Sequence, residues 1–123
     1  CIKLVDREFY NHIQTSECNG ECYRCTFKLA YLLNDSKVKI VWLAGTSFDG
    51  GDRYGHAVLM KKNYVLDTNT RRSYKKKKYL EIVQAEIFYE YSNEEYMQCE
   101  EPWELKWEEF GKWCKERNVQ RAI

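Results

Sequence analysis

The chain has 123 residues, of which 44% are hydrophobic and 15% aromatic. This content supports a packed core, excludes an intrinsically disordered chain, and predicts a single domain over residues 1–123. Twenty basic and nineteen acidic residues leave a net charge of +1, so the overall charge predicts no polyanionic partner. The longest stretch without a charge, between Lys39 and Asp49, is too short to cross a bilayer, so no membrane partner is expected.

Helical periodicity marks three segments of the chain. The first covers residues 5–14 and is followed by a polar loop at residues 15–21. The second covers residues 22–33, where apolar side chains recur along one face before a polar stop. The third covers residues 102–117, with a proline in its first turn and basic residues in its last. The core stripe of this third helix is expected to be Trp103, Trp107, Phe110 and Cys114.

Between the second and third helices, the apolar residues follow the period of β-strands. The predicted strands are 38–43, 56–61, 64–68 and 85–91. The predicted connections are a Gly-rich loop at 46–55, a two-residue turn at Lys62-Asn63, a basic loop at 71–78 and a helical turn at 80–84. The order predicts an α+β fold, with N-terminal helices packed on an antiparallel sheet of about four strands and a C-terminal helix.

Cys22 is the first residue of the second predicted helix and follows Gly20-Glu21. Backbone N–H groups point outward at the start of a helix, and the helix dipole favours negative charge there. Both effects stabilise a thiolate, which is the nucleophilic form of cysteine, and the same N–H groups can hold an oxyanion. The alternative interpretation of Cys22 is a small buried core residue.

A histidine and a carboxylate lie on the predicted hairpin that follows. With Lys62-Asn63 as the turn, His56 faces Asn69, and Asp67 lies diagonal to His56 on the same face of the sheet. A carboxylate in that place can fix the imidazole tautomer and stabilise the imidazolium. Asn69 is the alternative third member. In the alternative interpretation, His56 is a satisfied strand-end histidine and Asp67 a turn residue.

Together, these residues resemble the transglutaminase-like branch of the papain-like cysteine peptidase superfamily, and most closely the bacterial transglutaminase-like cysteine proteases. The resemblance covers residues 20–69. It is carried by Gly20-Glu21-Cys22, Ala30-Tyr31-Leu32-Leu33, Gly55-His56-Ala57-Val58-Leu59 and Val65-Leu66-Asp67.

The resemblance implies a papain-like or transglutaminase-like core that acts without a cofactor on a protein or peptide. It implies Cys22 as the nucleophile, His56 as the general base and acid, and Asp67 as the orienting residue. The upstream residue Gln14 is the candidate side-chain donor of the oxyanion hole, with Asn19 as the other choice.

The small size is also similar to that of excised papain-like toxin domains of bacterial effectors. That likeness implies a secreted or delivered protein and a cognate inhibitor or immunity protein as a partner. The chain departs from the family after Asp67, and Tyr23-Arg24 stands where acidic residues often follow the nucleophile. Peptidase, glutamine deamidase and transglutaminase activities therefore all stay open, since they share the acyl-enzyme steps.

A metal site is the first rival interpretation. The spacing of Cys18, Cys22 and Cys25 copies the cluster-binding signature of radical enzymes that use S-adenosylmethionine, but those enzymes need a large partial barrel. The same three thiolates, with His12 or Cys1, suit a structural zinc ion. Because three of the six cysteines crowd together, we expect reduced thiols rather than a framework of disulfides.

A nucleic-acid interface is the second rival. The basic run at 71–78 can meet phosphates, and Tyr74 or Tyr79 can stack on bases. An acidic partner protein would suit the same charges, and a solvated loop is the alternative interpretation. Lys75 to Lys78 are expected to be exposed, because unpaired ammonium groups are costly to bury.

Overall fold

The computed structural model describes residues 22–121. Gln14 and Asn19, the cysteines Cys1 and Cys18, His12, and the segments predicted at 5–14 and 15–21 lie outside the described residues. The described elements are α1 Cys22–Leu33, β1 Val38–Gly45, β2 Tyr54–Lys61, β3 Tyr64–Asp67, β4 Arg72–Lys75, α2 Lys76–Ile82, β5 Glu86–Tyr91, α3 Asn93–Tyr96, a 3₁₀ helix Pro102–Glu104, α4 Trp107–Glu116 and β6 Gln120–Arg121. None of the described helices is long and apolar enough to span a membrane.

The sheet has the strand order β4-β3-β2-β1-β5. Strands β1 to β4 form an antiparallel meander, and β5 returns to pair antiparallel with β1. The short β6 pairs in parallel with the first residues of β2. The predicted α+β class, the antiparallel sheet and the C-terminal helix are confirmed, whereas the expected strand number of about four was too low because β4 and β6 were missed.

The predicted register of the hairpin is confirmed. Lys61 pairs with Tyr64 and Met60 with Val65, so the turn has two residues. Lys62 adopts the positive φ of 55° that such tight turns require. His56 and Asp67 therefore share one face of the sheet.

The prediction of a loop at 71–78 is wrong. These residues form β4, which pairs with β3, and the first turn of α2. The sequence pattern did not indicate this strand, because both of its end residues are basic and only Ser73 and Tyr74 of β4 are even partly buried. Lys75, Lys77 and Lys78 are exposed as expected, and Lys76 is half-buried.

The third predicted helix is divided in two. The 3₁₀ helix ends at Glu104, and α4 begins only at Trp107. Phe110 and Cys114 are buried as predicted, but Trp103 is 40% exposed and does not belong to the core. The break at residues 105–106 rotates Trp103 away from the stripe that α4 buries.

Each face of the sheet carries its own apolar cluster. One cluster packs α1, α3 and α4 against Ile40, Trp42, Ala57 and Leu59. The other packs α2, through Tyr79, against Val41, Val58, Met60 and Val65. Because strand side chains alternate between faces, β1 and β2 are apolar on both sides, which explains their nearly continuous hydrophobic sequences.

The close packing beside Gly55 gives a prediction about stability. A methyl group on this residue would lie 3.0 Å from Tyr23 Oη and 3.1 Å from both Cys114 Sγ and Phe110 Cζ. These neighbours are buried and have little room to move. Gly55→Ala is therefore expected to lower the free energy of unfolding by about 1–3 kcal/mol, measured by urea denaturation.

Gly111→Ala is the matched control, because this glycine lies inside α4 and its nearest neighbour is the flexible end of Arg121, at 3.1 Å. Alanine is favoured over glycine in a helix by about 1 kcal/mol. This variant is expected to be neutral or slightly stabilised. An equal loss of stability in both variants would contradict the packing argument.

Candidate active site

His56 and Asp67 form the centre of the candidate active site. His56 is the third residue of β2 and Asp67 the last residue of β3. His56 Nε2 lies 3.2 Å from Asp67 Oδ1, and the two residues are only 3% and 5% exposed. The diagonal placement expected from the hairpin register thus produces a buried ion pair or hydrogen bond.

Cys22, the first residue of α1, lies beside the same imidazole. Its thiol is free and its side chain has no exposed surface. Electrostatic interaction with Cys22 contributes to raising the pKa of the His56 imidazole, so the two groups are neighbours. His56 Nδ1 is buried and has no hydrogen-bond partner within the part of the chain that the structure describes. With Nε2 directed at Asp67, Nδ1 is the nitrogen left for the sulfur.

The pKa of His56 reflects these two neighbours. Burial alone would lower the pKa of this imidazole, but hydrogen bonds and negative charge from Asp67 and Cys22 outweigh burial and raise it from 6.5 to about 10. The imidazolium is therefore the favoured form at neutral pH. Because the pKa is raised in the folded state, the ion pair stabilises the fold fully below about pH 6.5, and this stabilisation is lost as the pH rises towards 10.

Three donors surround the Asp67 carboxylate. Besides His56, the backbone N–H of Asn69 donates to Oδ1 at 2.9 Å, and the Tyr79 hydroxyl donates to Oδ2 at 2.8 Å. Burial raises the pKa of Asp67, but these hydrogen bonds and the imidazolium charge lower it below its ordinary value of 3.8. The carboxylate is therefore ionised at neutral pH and held in one orientation.

Tyr79 is the site residue that the sequence analysis missed as part of this chemistry. It lies in α2 and is 1% exposed. Burial, followed by the charge of Asp67, raises its pKa, so the phenol stays protonated and acts as a donor. The available signal was Tyr79-Leu80, an aromatic and an apolar residue that directly follow four lysines, where a buried helix face begins.

Of the two remaining predicted site residues, Asn69 does not contribute its side chain to the cluster. The Asn69 side chain is exposed, and only its backbone N–H reaches the site, so Asp67 and not Asn69 holds the imidazole. The proposed oxyanion donor Gln14 lies outside the described residues.

Aromatic side chains surround the cluster. The Tyr54 ring lies 5.6 Å from the His56 ring and is half-buried. Burial, followed by the charge of Asp67, raises the pKa of Tyr54. Phe48, 41% exposed, packs against Tyr79 with ring centroids 5.8 Å apart. Together they form an apolar rim next to a charged interior.

The metal alternative loses one of its proposed ligands. Cys25 is disulfide-bonded, so it has no thiolate to offer a metal, and the expectation of reduced thiols is wrong for this residue. Within residues 22–121, no three His, Cys, Asp or Glu side chains are grouped as metal ligands. Cys22 interacts with His56 instead.

The Tyr79 hydroxyl gives a prediction with a defined pH dependence. Tyr79→Phe removes a donor from a buried carboxylate and is expected to lower the free energy of unfolding by about 1–3 kcal/mol near pH 7. The folded-state pKa of Asp67 is depressed, so its stabilisation is present above 3.8 and is lost as the pH falls through the folded-state value. The stability difference between wild type and variant should therefore shrink in acid, measured by urea denaturation at several pH values.

Tyr74→Phe is the control for this prediction, because the Tyr74 hydroxyl donates to Thr70 in an exposed position. Its loss of stability is expected to be below about 1 kcal/mol and not to follow the titration of Asp67. A Tyr79→Phe protein as stable as Tyr74→Phe would show that the hydroxyl does not support the carboxylate.

Comparisons with protein-family models, with curated proteins and with solved structures found no match to this chain.

Proposed function

We propose that this protein is a thiol acyl-transfer enzyme that acts on a peptide bond or a side-chain amide. In this proposal Cys22 is the nucleophile, His56 the general base and acid, and Asp67 the residue that orients the imidazole. The observation that carries the proposal is the imidazole between two groups: Nε2 lies 3.2 Å from the Asp67 carboxylate, Cys22 interacts electrostatically with the ring, and Nδ1 has no hydrogen-bond partner among the described residues.

The fold supports a papain-like or transglutaminase-like core. A helix begins at the nucleophile, and two neighbouring antiparallel strands supply the histidine and the carboxylate in the chain order Cys, His, Asp. This arrangement is the one that the resemblance implies. The order of elements alone is compatible with many functions, so the function is inferred from the residues of the site.

In this proposal the imidazolium held by Asp67 lies beside the sulfur, and a neighbouring positive charge favours the thiolate form of a cysteine. The electrostatic interaction between an imidazolium and a thiolate is reciprocal, so it stabilises the charged form of each group by the same free energy. Asp67 binds Nε2 of the ring and leaves the buried Nδ1 for the sulfur in this proposal. The nucleophile and the acid are therefore prepared before substrate arrives.

In acylation, the Cys22 thiolate adds to the amide carbon, and a carbon–sulfur bond forms while the carbonyl oxygen becomes an oxyanion. In this proposal, backbone N–H groups in the first turn of α1 hold that oxygen. The His56 imidazolium then gives its proton to the amide nitrogen, the carbon–nitrogen bond breaks, and an amine or ammonia leaves.

In deacylation, neutral His56 takes a proton from water or from an acceptor amine, which attacks the thioester. The carbon–sulfur bond breaks and the thiolate returns, and His56 keeps the proton, so the starting ion pair is restored. Water on a peptide gives proteolysis, water on a glutamine side chain gives deamidation, and an amine gives transglutamination. The three reactions use the same described residues.

The state of the thiol can be tested without knowing the substrate. At about pH 6, where an ordinary thiol with a pKa near 8.5 is protonated, iodoacetamide is expected to modify Cys22 and not Cys99. Cys99 is half-buried, and burial together with the charge of Glu104 raises its pKa. Peptide mass analysis of the quenched reaction identifies the modified thiol.

His56→Ala is the control for this experiment. Because Cys22 is buried, the absolute rate also depends on how often the site opens, whereas the ratio of rates at about pH 6 and pH 9 reports on the thiolate. The variant should lose the reaction at pH 6 and keep it at pH 9. A wild-type Cys22 that reacts only at the alkaline pH where Cys99 reacts would contradict the proposal.

Activity is expected to depend on Cys22 far more than on any other described cysteine. Cys22→Ala should reduce turnover by several orders of magnitude, since nothing replaces the covalent intermediate. Cys99→Ala should retain most of the wild-type turnover. The assays are peptide cleavage, ammonia release from glutamine peptides and incorporation of a labelled amine, which separate the three reactions. A fully active Cys22→Ala protein would remove the proposed mechanism.

A further inference from the structure

The surface next to the candidate site is strongly basic. Residues 71–78 contain six basic residues and no acidic residue. The side chains of Arg71, Arg72, Lys75, Lys77 and Lys78, which we call the basic surface, are exposed. The rest of the chain holds fourteen basic and nineteen acidic residues, a net charge of −5. The positive charge of this protein is therefore concentrated beside its candidate site.

These charges have no counter-ions among the described residues. Ion pairs hold basic side chains elsewhere, as in Lys39–Glu90, Lys61–Asp35 and Arg117–Glu86. None of the five side chains of the basic surface makes an ion pair or a side-chain hydrogen bond within residues 22–121. Like charges held this close repel one another, so the arrangement costs folding energy that a bound anionic partner would recover.

The basic surface is connected directly to Asp67. Arg72 is the cross-strand partner of Asp67 between β3 and β4. On the other side, α2 carries Lys77 and Lys78 outward and, one residue later, directs Tyr79 inward to the same carboxylate at 2.8 Å. A chain bound along the basic surface thus lies next to the residues that hold His56.

A groove in this region suits a peptide. Its volume is about 560 Å³, and it is lined by Asn63, Tyr64, Lys75, Lys76, Lys77 and Leu80. Tyr64 and Leu80 are half-buried and give the groove an apolar floor between ammonium groups. Acidic side chains would pair with the lysines while an apolar side chain covers the floor.

We propose that the basic surface docks an acidic segment of the protein substrate and so delivers the neighbouring amide to Cys22. This inference rests on the proposed function, for which it names the substrate class. The net charge of −5 on the rest of the chain favours a short acidic segment over a long nucleic acid, because a polyanion extending past the basic surface would be repelled.

The test uses two short peptides that carry a chloroacetyl group and a fluorophore, one of alternating Glu and Ala and one of alternating Gln and Ala. The Cys22 thiolate displaces chloride, so labelling of Cys22 reports delivery to the site. At low salt the Glu peptide is expected to label Cys22 about tenfold faster than the Gln peptide, because opposite charges steer the encounter. In about 0.5 M sodium chloride, where screening acts over a few ångströms, the advantage should disappear.

Two triple variants with the same change in net charge provide the control. The first variant combines Arg72→Gln, Lys75→Gln and Lys77→Gln. It should abolish the advantage of the Glu peptide. The second variant combines Lys28→Gln, Lys112→Gln and Lys115→Gln, which neutralise exposed lysines outside residues 71–78. It should leave the advantage of the Glu peptide intact. Equal labelling by the two peptides, or equal loss in the two triple variants, would overturn the inference.

Binding is measured separately in Cys22→Ala, by the fluorescence anisotropy of acetyl versions of both peptides and of single-stranded DNA with the same number of charges. Tighter binding of the Glu peptide than of the DNA supports a protein partner, and the reverse order overturns it in favour of nucleic acid. If Cys22 reacts with iodoacetamide in acid but the Glu peptide has no advantage, only the docking inference fails. If Cys22 is inert while the Glu peptide binds, the proposed function fails, and with it the delivery to Cys22.

Discussion

The Asp67 carboxylate is an ionised group in the interior, and leaving it without donors would cost several kcal/mol. Its three donors come from three parts of the chain, namely His56 on β2, Tyr79 on α2 and the backbone of Asn69. Satisfying this one charge therefore fixes the hairpin register, the position of α2 against the sheet and the turn after β3. The imidazole orientation on which the proposed chemistry depends is a consequence of the same requirement.

The two faces of the sheet contribute differently to the site. Cys22 belongs to the cluster beneath α1 and α4, whereas His56 lies on the same face as Val58, which α2 covers. The sulfur and the ring meet near the first residues of β2, where Gly55 has no side chain and lets Tyr23 approach closely. Packing on one face of the sheet thus positions Cys22, and the charges on the other face fix the orientation of His56.

Local sequence patterns were sufficient to predict α1, the central strands and the hairpin. His56 and Asp67 came together because a two-residue turn leaves only one register for β2 and β3. The patterns failed where long-range contacts decide the structure. β4 is strongly charged and becomes a strand only by pairing with β3, and the role of Tyr79 depends on a contact with a residue twelve positions earlier in the chain. The disulfide at Cys25 also had no signal in the spacing.

The complete burial of Cys22 has a chemical consequence beyond access for substrate. A thiolate in contact with water is the form of cysteine that peroxides convert to sulfenic acid and then to irreversible oxidation products. Enclosing the sulfur between α1 and the imidazole keeps oxidants away from it. In the proposed enzyme, the same enclosure would protect the nucleophile between turnovers, and the most vulnerable moment would be the opening that admits a substrate.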